Sequence, residues 1–184
     1  LVSFCTEIHT GGMFLQTPTI TLTKTAMMAA LVFLATYVLK VPAPNGYSHL
    51  GDCMILISVL LLGSRNGALA GGVGAALADL LGGYMQWILP TFCIKVVMAL
   101  IMGACVSKCS HRCHWLLGAV FGGLFQIFAY TAVKIVYYGF ATAMVMTPGL
   151  LVQTAVSWIC TALFLGILQT SGIWKNSLQI KSQG

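Results

Sequence analysis

Four stretches of this 184-residue chain, roughly residues 24 to 40, 91 to 107, 115 to 138 and 150 to 170, run apolar for close to the length of a bilayer crossing. A helix needs about 20 such residues to traverse the ~30 Å hydrocarbon core. Composition agrees: 59% of residues are hydrophobic and 7% charged, against about 25% charged in an ordinary soluble domain. Glu7, Asp52 and Asp79 are the acids, so the net charge of +6 reflects scarce acids as much as abundant bases. The nine Lys and Arg residues are scattered singly between apolar runs, which excludes the clustered basic face of a nucleic-acid binder.

Two shorter runs, roughly 49 to 63 and 67 to 82, flank Gly63-Ser64-Arg65-Asn66-Gly67. Each is short for a span, so the pair is either two thin helices or a re-entrant hairpin. Six spans are favoured, because both runs are helix-compatible and an even count leaves both termini on one side. With that side cytoplasmic, Lys24, Arg65, Lys108, Arg112, Lys175 and Lys181 all fall inside and Lys40 alone falls outside, as the positive-inside bias requires. The expected architecture is an all-α, multi-pass bundle of six transmembrane helices in one domain. Residues 1–22 form an N-terminal cytoplasmic segment, 23–171 the six-helix core and 172–184 a C-terminal cytoplasmic tail. The first 20 residues lack a basic stretch followed by an apolar core and a cleavage site, so a retained N-terminus is expected. Three outer connections follow: Val41 to Ser48, Gly83 to Pro90 and Gly139 to Gly149. The first two carry prolines and aromatics in place of charges, which suits lids over a pocket, although Trp87 and Tyr47 equally fit an interfacial aromatic belt.

Helices in lipid gain little from apolar burial against one another and rely on small residues for close approach. Gly67, Gly71 and Ala75 form one such row, Gly74, Ala78 and Gly82 the next, and Gly118 and Gly122 a third. Ala26 and Ala30 make a further step near the cytoplasmic end of the first span, the best placed for an external partner. Most of the seven cysteines lie in apolar runs as small hydrophobes. Cys105, Cys109, His111, Cys113 and His114 lack the paired-knuckle spacing of structural zinc, and Lys108 and Arg112 repel a cation. No metal and no cofactor are expected.

Ionisable side chains inside a bilayer are costly unless paired or wetted, which makes each a candidate functional residue. Asp52, Asp79, Lys95 and Lys134 stand out. Gln126, Tyr130 and Lys134 recur every four residues on one helix face, as do Thr91 and Lys95. These groups converge near the outer leaflet, where Tyr37, Tyr84 and Trp87 can stack on a flat heterocycle. The plainer alternative is that Asp79 and Lys95 neutralise one another as a structural ion pair between helices. No phosphate-binding loop or metal-binding helix motif is present, so an enzyme is not expected and any ATP would be held by another subunit.

The segments Tyr47-Ser48-His49-Leu50-Gly51-Asp52, Gly67 to Leu81 with its Ala-Leu-Ala-Asp-Leu-Leu ending, and Pro90-Thr91-Phe92-Cys93-Ile94-Lys95 together resemble the S components of energy-coupling factor (ECF) vitamin transporters. The likeness covers about residues 24 to 170 and looks closest to the branch assigned to pyridoxine, hydroxymethylpyrimidine or riboflavin. It implies a six-helix substrate-binding subunit in the plasma membrane of a prokaryote, with lids from the first and third outer connections. It further implies docking on a membrane coupling subunit through an Ala-x-x-x-Ala patch, matched by Ala26 and Ala30, and two cytoplasmic ATPases that drive a toppling motion. The N-terminal stretch with Glu7 and His9, and Cys53 and Cys93 beside motif positions, have no counterpart in that pattern. The expected substrate-binding set is His49, Asp52, Asp79, Tyr84, Trp87, Thr91, Lys95, Gln126, Tyr130 and Lys134. His49 and Asp52 alternatively cap the helix that follows them. The competing class is a stand-alone transporter in which Asp79 and Lys95 relay ions.

Overall fold

The computed structural model describes residues 18–43, 46–108 and 114–170, and within them six α-helices form one membrane-type bundle. Helix α1 covers Pro18–Tyr37, α2 Gly51–Leu62, α3 Ser64–Leu81, α4 Ile88–Lys108, α5 His114–Tyr138 and α6 Phe140–Thr170. A short antiparallel hairpin, β1 (Lys40–Ala43) and β2 (Gly46–His49), joins α1 to α2, with Lys40 opposite His49 and Ala43 opposite Gly46. The first connection is therefore a paired ribbon in an otherwise helical fold. A 3-10 turn at Met85–Trp87 leads into α4.

Among the described residues, four helices are long and apolar enough to cross a membrane: α1, α4, α5 and α6. Helix α2, at 12 residues, rises about 18 Å at about 1.5 Å per residue and cannot cross a ~30 Å core alone. Helix α3, at 18 residues, rises about 27 Å. A single residue, Gly63 at φ 81°, separates these two helices. That left-handed backbone is open to glycine at no steric cost, and it folds α3 back along α2.

The small residues set how close the helices come. A Cβ on Gly67 would stand 2.6 Å from the Val59 Cα, and one on Gly74 would stand 2.5 Å from the Ala29 carbonyl oxygen. The first glycine row thus packs on α2 and the second reaches α1, the internal use expected of them. Gly118 and Gly122 likewise pack against Met102 of α4. Val32, Ile55, Leu56, Met98, Ala99 and Ala119 form the centre of the core.

Two sequence expectations are corrected. Residues 140–149, read as a lid loop, are the first turns of α6, and Gly139 at φ 81° is all that separates α5 from α6. Pro148 sits inside that helix; a proline is tolerated there because neighbouring side chains and helices compensate the lost backbone bond. Lys24, placed at the cytoplasmic end of the first span, has its side chain buried. Helix α1 also starts at Pro18, ahead of the boundary at residue 23, with the proline in the first-turn position that its fixed φ suits. Cys109, His111 and Cys113 lie outside the described residues.

Candidate functional site

One end of the bundle brings together the hairpin, the 3-10 turn and the α5–α6 joint, and there a cavity of about 360 Å³ opens between the helices. That volume lies within the range of small-molecule sites. Thr36 of α1, His49 of β2, Asp79 of α3, Thr91 and Lys95 of α4, Tyr130 and Lys134 of α5, and Gln153 of α6 all contribute to its wall. The hairpin stays in place because β2 packs against α6 and α1.

The floor is a buried polar cluster. Lys95, 1% exposed, forms an ion pair with Asp52 Oδ1 and donates a hydrogen bond to Gln126 Oε1. Gln126 Nε2 donates to Asp52 Oδ2 at 2.7 Å and to Thr154 Oγ1 at 3.2 Å. Gln153 Nε2 donates to Asp52 Oδ2 at 3.1 Å and stands 3.3 Å from His49 Nε2. Both carboxylate oxygens are thus occupied, and the low dielectric around them strengthens each bond. An ammonium group carries three donors. Two are spent on Asp52 and Gln126, and Lys95 Nζ lies 5.4 Å from the centre of the Tyr130 ring on the cavity side.

The plainer alternative of a structural ion pair on Lys95 is met with a different acid, since its partner is Asp52. Asp52 stands in the first turn of α2, where a negative charge is favoured by the helix dipole, but its carboxylate turns inward and leaves the helix start without a side-chain cap. His49 does brace that start, its Nδ1 accepting from the Gly51 N–H at 3.3 Å. Of the expected substrate-binding residues, His49, Asp79, Tyr84, Trp87, Thr91, Lys95, Tyr130 and Lys134 line the cavity. Asp52 and Gln126 stand behind Lys95 and hold it in place.

Aromatic rings line the cavity beside these charges. Trp87 lies 6.0 Å from Tyr130, 5.5 Å from Tyr137 edge-on and 6.3 Å from Tyr138, measured between ring centres. Gln86 ties the turn to the end of α5, donating to Tyr138 Oη at 2.8 Å and accepting from Tyr137 Oη at 3.3 Å. Tyr37, expected beside these rings, instead stacks on Phe33 at 5.4 Å along the outside of α1. Thr36, Met146, Leu150 and Gln153 were missed as lining residues. A signal existed for Gln153, because Gln153, Ser157 and Thr161 recur every four residues through the apolar α6, the same pattern that marked α5.

A family model described as "ECF-type riboflavin transporter, S component" matches residues 16–170. The chain belongs to the S components of ECF-type transporters. It is accordingly a substrate-binding subunit of a transporter and a multi-pass membrane protein. A protein of Pyrococcus woesei, described as "Uncharacterized protein in gap 3'region", is 40% identical to this S component over 101 residues, 55% of this chain and 68% of the relative. The matched region takes in all six helices of the described residues, from Pro18 to Thr170. The aromatic wall and the Lys95 floor are therefore both contained in the portion that defines the family.

Proposed function

We propose that this S component captures a small water-soluble vitamin or vitamin precursor at the hairpin end, which faces the outside of a prokaryotic plasma membrane. Pyridoxine or hydroxymethylpyrimidine is the favoured cargo. The observation that carries this reading is one cavity lined by Trp87, Tyr130 and Tyr138 together with Lys95, Asp79, Gln153 and His49. Rings of that kind stack on a flat heterocycle, while convergent donors and acceptors fix its edge groups. The description of the matching family favours riboflavin as a second reading, and a cavity of about 360 Å³ leaves room for more than one ring.

Delivery in this proposal requires a membrane coupling subunit and two cytoplasmic ATPases, with release by toppling of the docked S component. Ala26 and Ala30, both exposed on α1 together with Met27 and Leu34, form the small-residue patch that seats the coupling subunit. The test uses the full chain in detergent with a vitamin panel, followed through the fluorescence of Trp87 and its neighbours. Uptake is then measured in vesicles with and without the coupling module. Tight binding without autonomous uptake supports the proposal. Gradient-driven uptake by the chain alone would establish the competing stand-alone transporter.

A further inference from the structure

The polar floor of the cavity has a second face. Asp52 and Gln126, which stand behind Lys95, also line a smaller cavity of about 10 Å³ deeper in the bundle, between α2, α4, α5 and α6. Helix α6 contributes Thr154, Ser157 and Thr161 to its wall. Ser157 and Thr161 continue the every-fourth-residue row that begins at Gln153, so the row descends from the binding cavity along one helix face. The outer two members are engaged: Gln153 Nε2 donates to Asp52 Oδ2 at 3.1 Å, and Thr161 Oγ1 donates to the Ser157 carbonyl at 2.8 Å. The middle one, Ser157, is 2% exposed, and its buried Oγ has no hydrogen-bond partner among the described residues.

A buried hydroxyl left unpaired carries the full desolvation cost of the group. Leu56, Met98 and Trp158 in the same wall give it no relief, because the first two are apolar and the Trp158 indole N–H is already donated to the Ala119 carbonyl at 3.1 Å. A polar cavity of about 10 Å³ holds one water molecule, which needs about two to four polar partners. Those partners are on its wall. Ser157 Oγ brings a donor and two lone pairs. Thr154 Oγ1 donates to the Leu150 carbonyl and accepts from Gln126 but keeps one lone pair, and Thr161 Oγ1 keeps acceptor capacity. We infer that the smaller cavity binds a single ordered water molecule, which ties Ser157 to Thr154 and Thr161 and so anchors the Gln126 end of the Lys95 cluster to α6. A bare cation is the other small occupant for a set of oxygens. Both Asp52 oxygens are taken by Lys95, Gln126 and Gln153, however, so a cation would compete with an ammonium group for the same carboxylate. The site is independent of which cargo the larger cavity takes.

The test is made on the full chain in detergent. Ser157→Ala removes one oxygen and leaves the surrounding packing in place. With water in the cavity, that water loses a partner and the melting temperature is expected to fall by a few degrees. With a hydroxyl that is simply unpaired, the substitution relieves a desolvation cost instead, so an unchanged or higher melting temperature overturns the site. A structure of the unsubstituted chain that resolves water fixes the cause. Density about 3 Å from Ser157 Oγ inside the cavity is expected, and its absence there overturns the site even where Ser157→Ala melts lower. Replacing sodium and potassium salts with choline chloride is expected to leave the melting temperature of the unsubstituted chain unchanged. A saturable rise on restoring sodium, lost in Ser157→Ala, assigns the cavity to a cation and overturns the water.

Discussion

Lys95 carries two duties, and they separate experimentally. Its ammonium group holds Asp52 and Gln126 beneath the cavity and offers its third donor upward. Lys95→Met leaves the Asp52 carboxylate buried with amide partners alone, which is expected to cost about 3–5 kcal/mol and to lower the melting temperature in detergent accordingly. Replacing the pair together, as Lys95→Met with Asp52→Leu, removes the stranded charge and recovers much of that loss, since apolar residues of similar volume often match a buried ion pair. Binding is not recovered in the double variant, because the upward donor is gone. Equal melting temperatures for single and double variants would show that the pair contributes no strain when broken. The residue pattern disclosed that Lys95, Asp52 and Asp79 were special but did not tell which acid pairs with Lys95. Asp52 begins α2 and Asp79 nears the end of α3, so both lie toward the same end of the bundle. Level follows from position along a span, whereas facing depends on how the helices are rotated.

At the scale of elements, glycine position decides tolerance. Gly74→Val places a branched side chain where a Cβ alone would already stand 2.5 Å from the Ala29 carbonyl oxygen, so α1 and α3 must part. The expected result is a loss of several kcal/mol, on the scale of other overpacked interfaces, read as a lower melting temperature and a reduced yield of monodisperse protein. Gly166→Ala in α6, where an added Cβ meets nothing within 4 Å, is expected to be neutral or stabilising by up to about 1 kcal/mol in the same assay. The glycine rows were legible because a spacing of four repeats along one helix face, and the six helices were legible from apolar length. The first turns of α6 were not. Pro148 and Gly149 read as punctuation, yet in the bundle Thr147 Oγ1 bonds the Ala143 carbonyl and meets Thr131 across the α5 interface, and the helix continues through. The hairpin was equally hidden, since β2 is held by packing against α6 and α1 and not by an alternating pattern in Lys40 to His49.

For the whole molecule, capture and delivery place opposite demands on the surface of α1. Its inward face, with Met28, Ala29, Val32 and Ala35, is buried in the bundle, and Thr36 at its far end reaches the cavity. Ala26 and Ala30 point away from that core, so a change there does not touch the binding site. Ala26→Leu is accordingly expected to leave vitamin affinity within about twofold of the original, since substitutions remote from a site add independently of it. A bulky side chain at Ala26 would, however, hold a docking helix away from the α1 backbone, where close approach supplies most of the association energy between helices in lipid. Coupled uptake in vesicles containing the full transporter should fall to the level seen without the coupling module. The two measurements must be made on the same preparation, because only their divergence assigns the patch to docking. Normal uptake by the Ala26→Leu transporter would remove α1 as the docking face, and a parallel fall in affinity would mean that the substitution had disturbed the bundle.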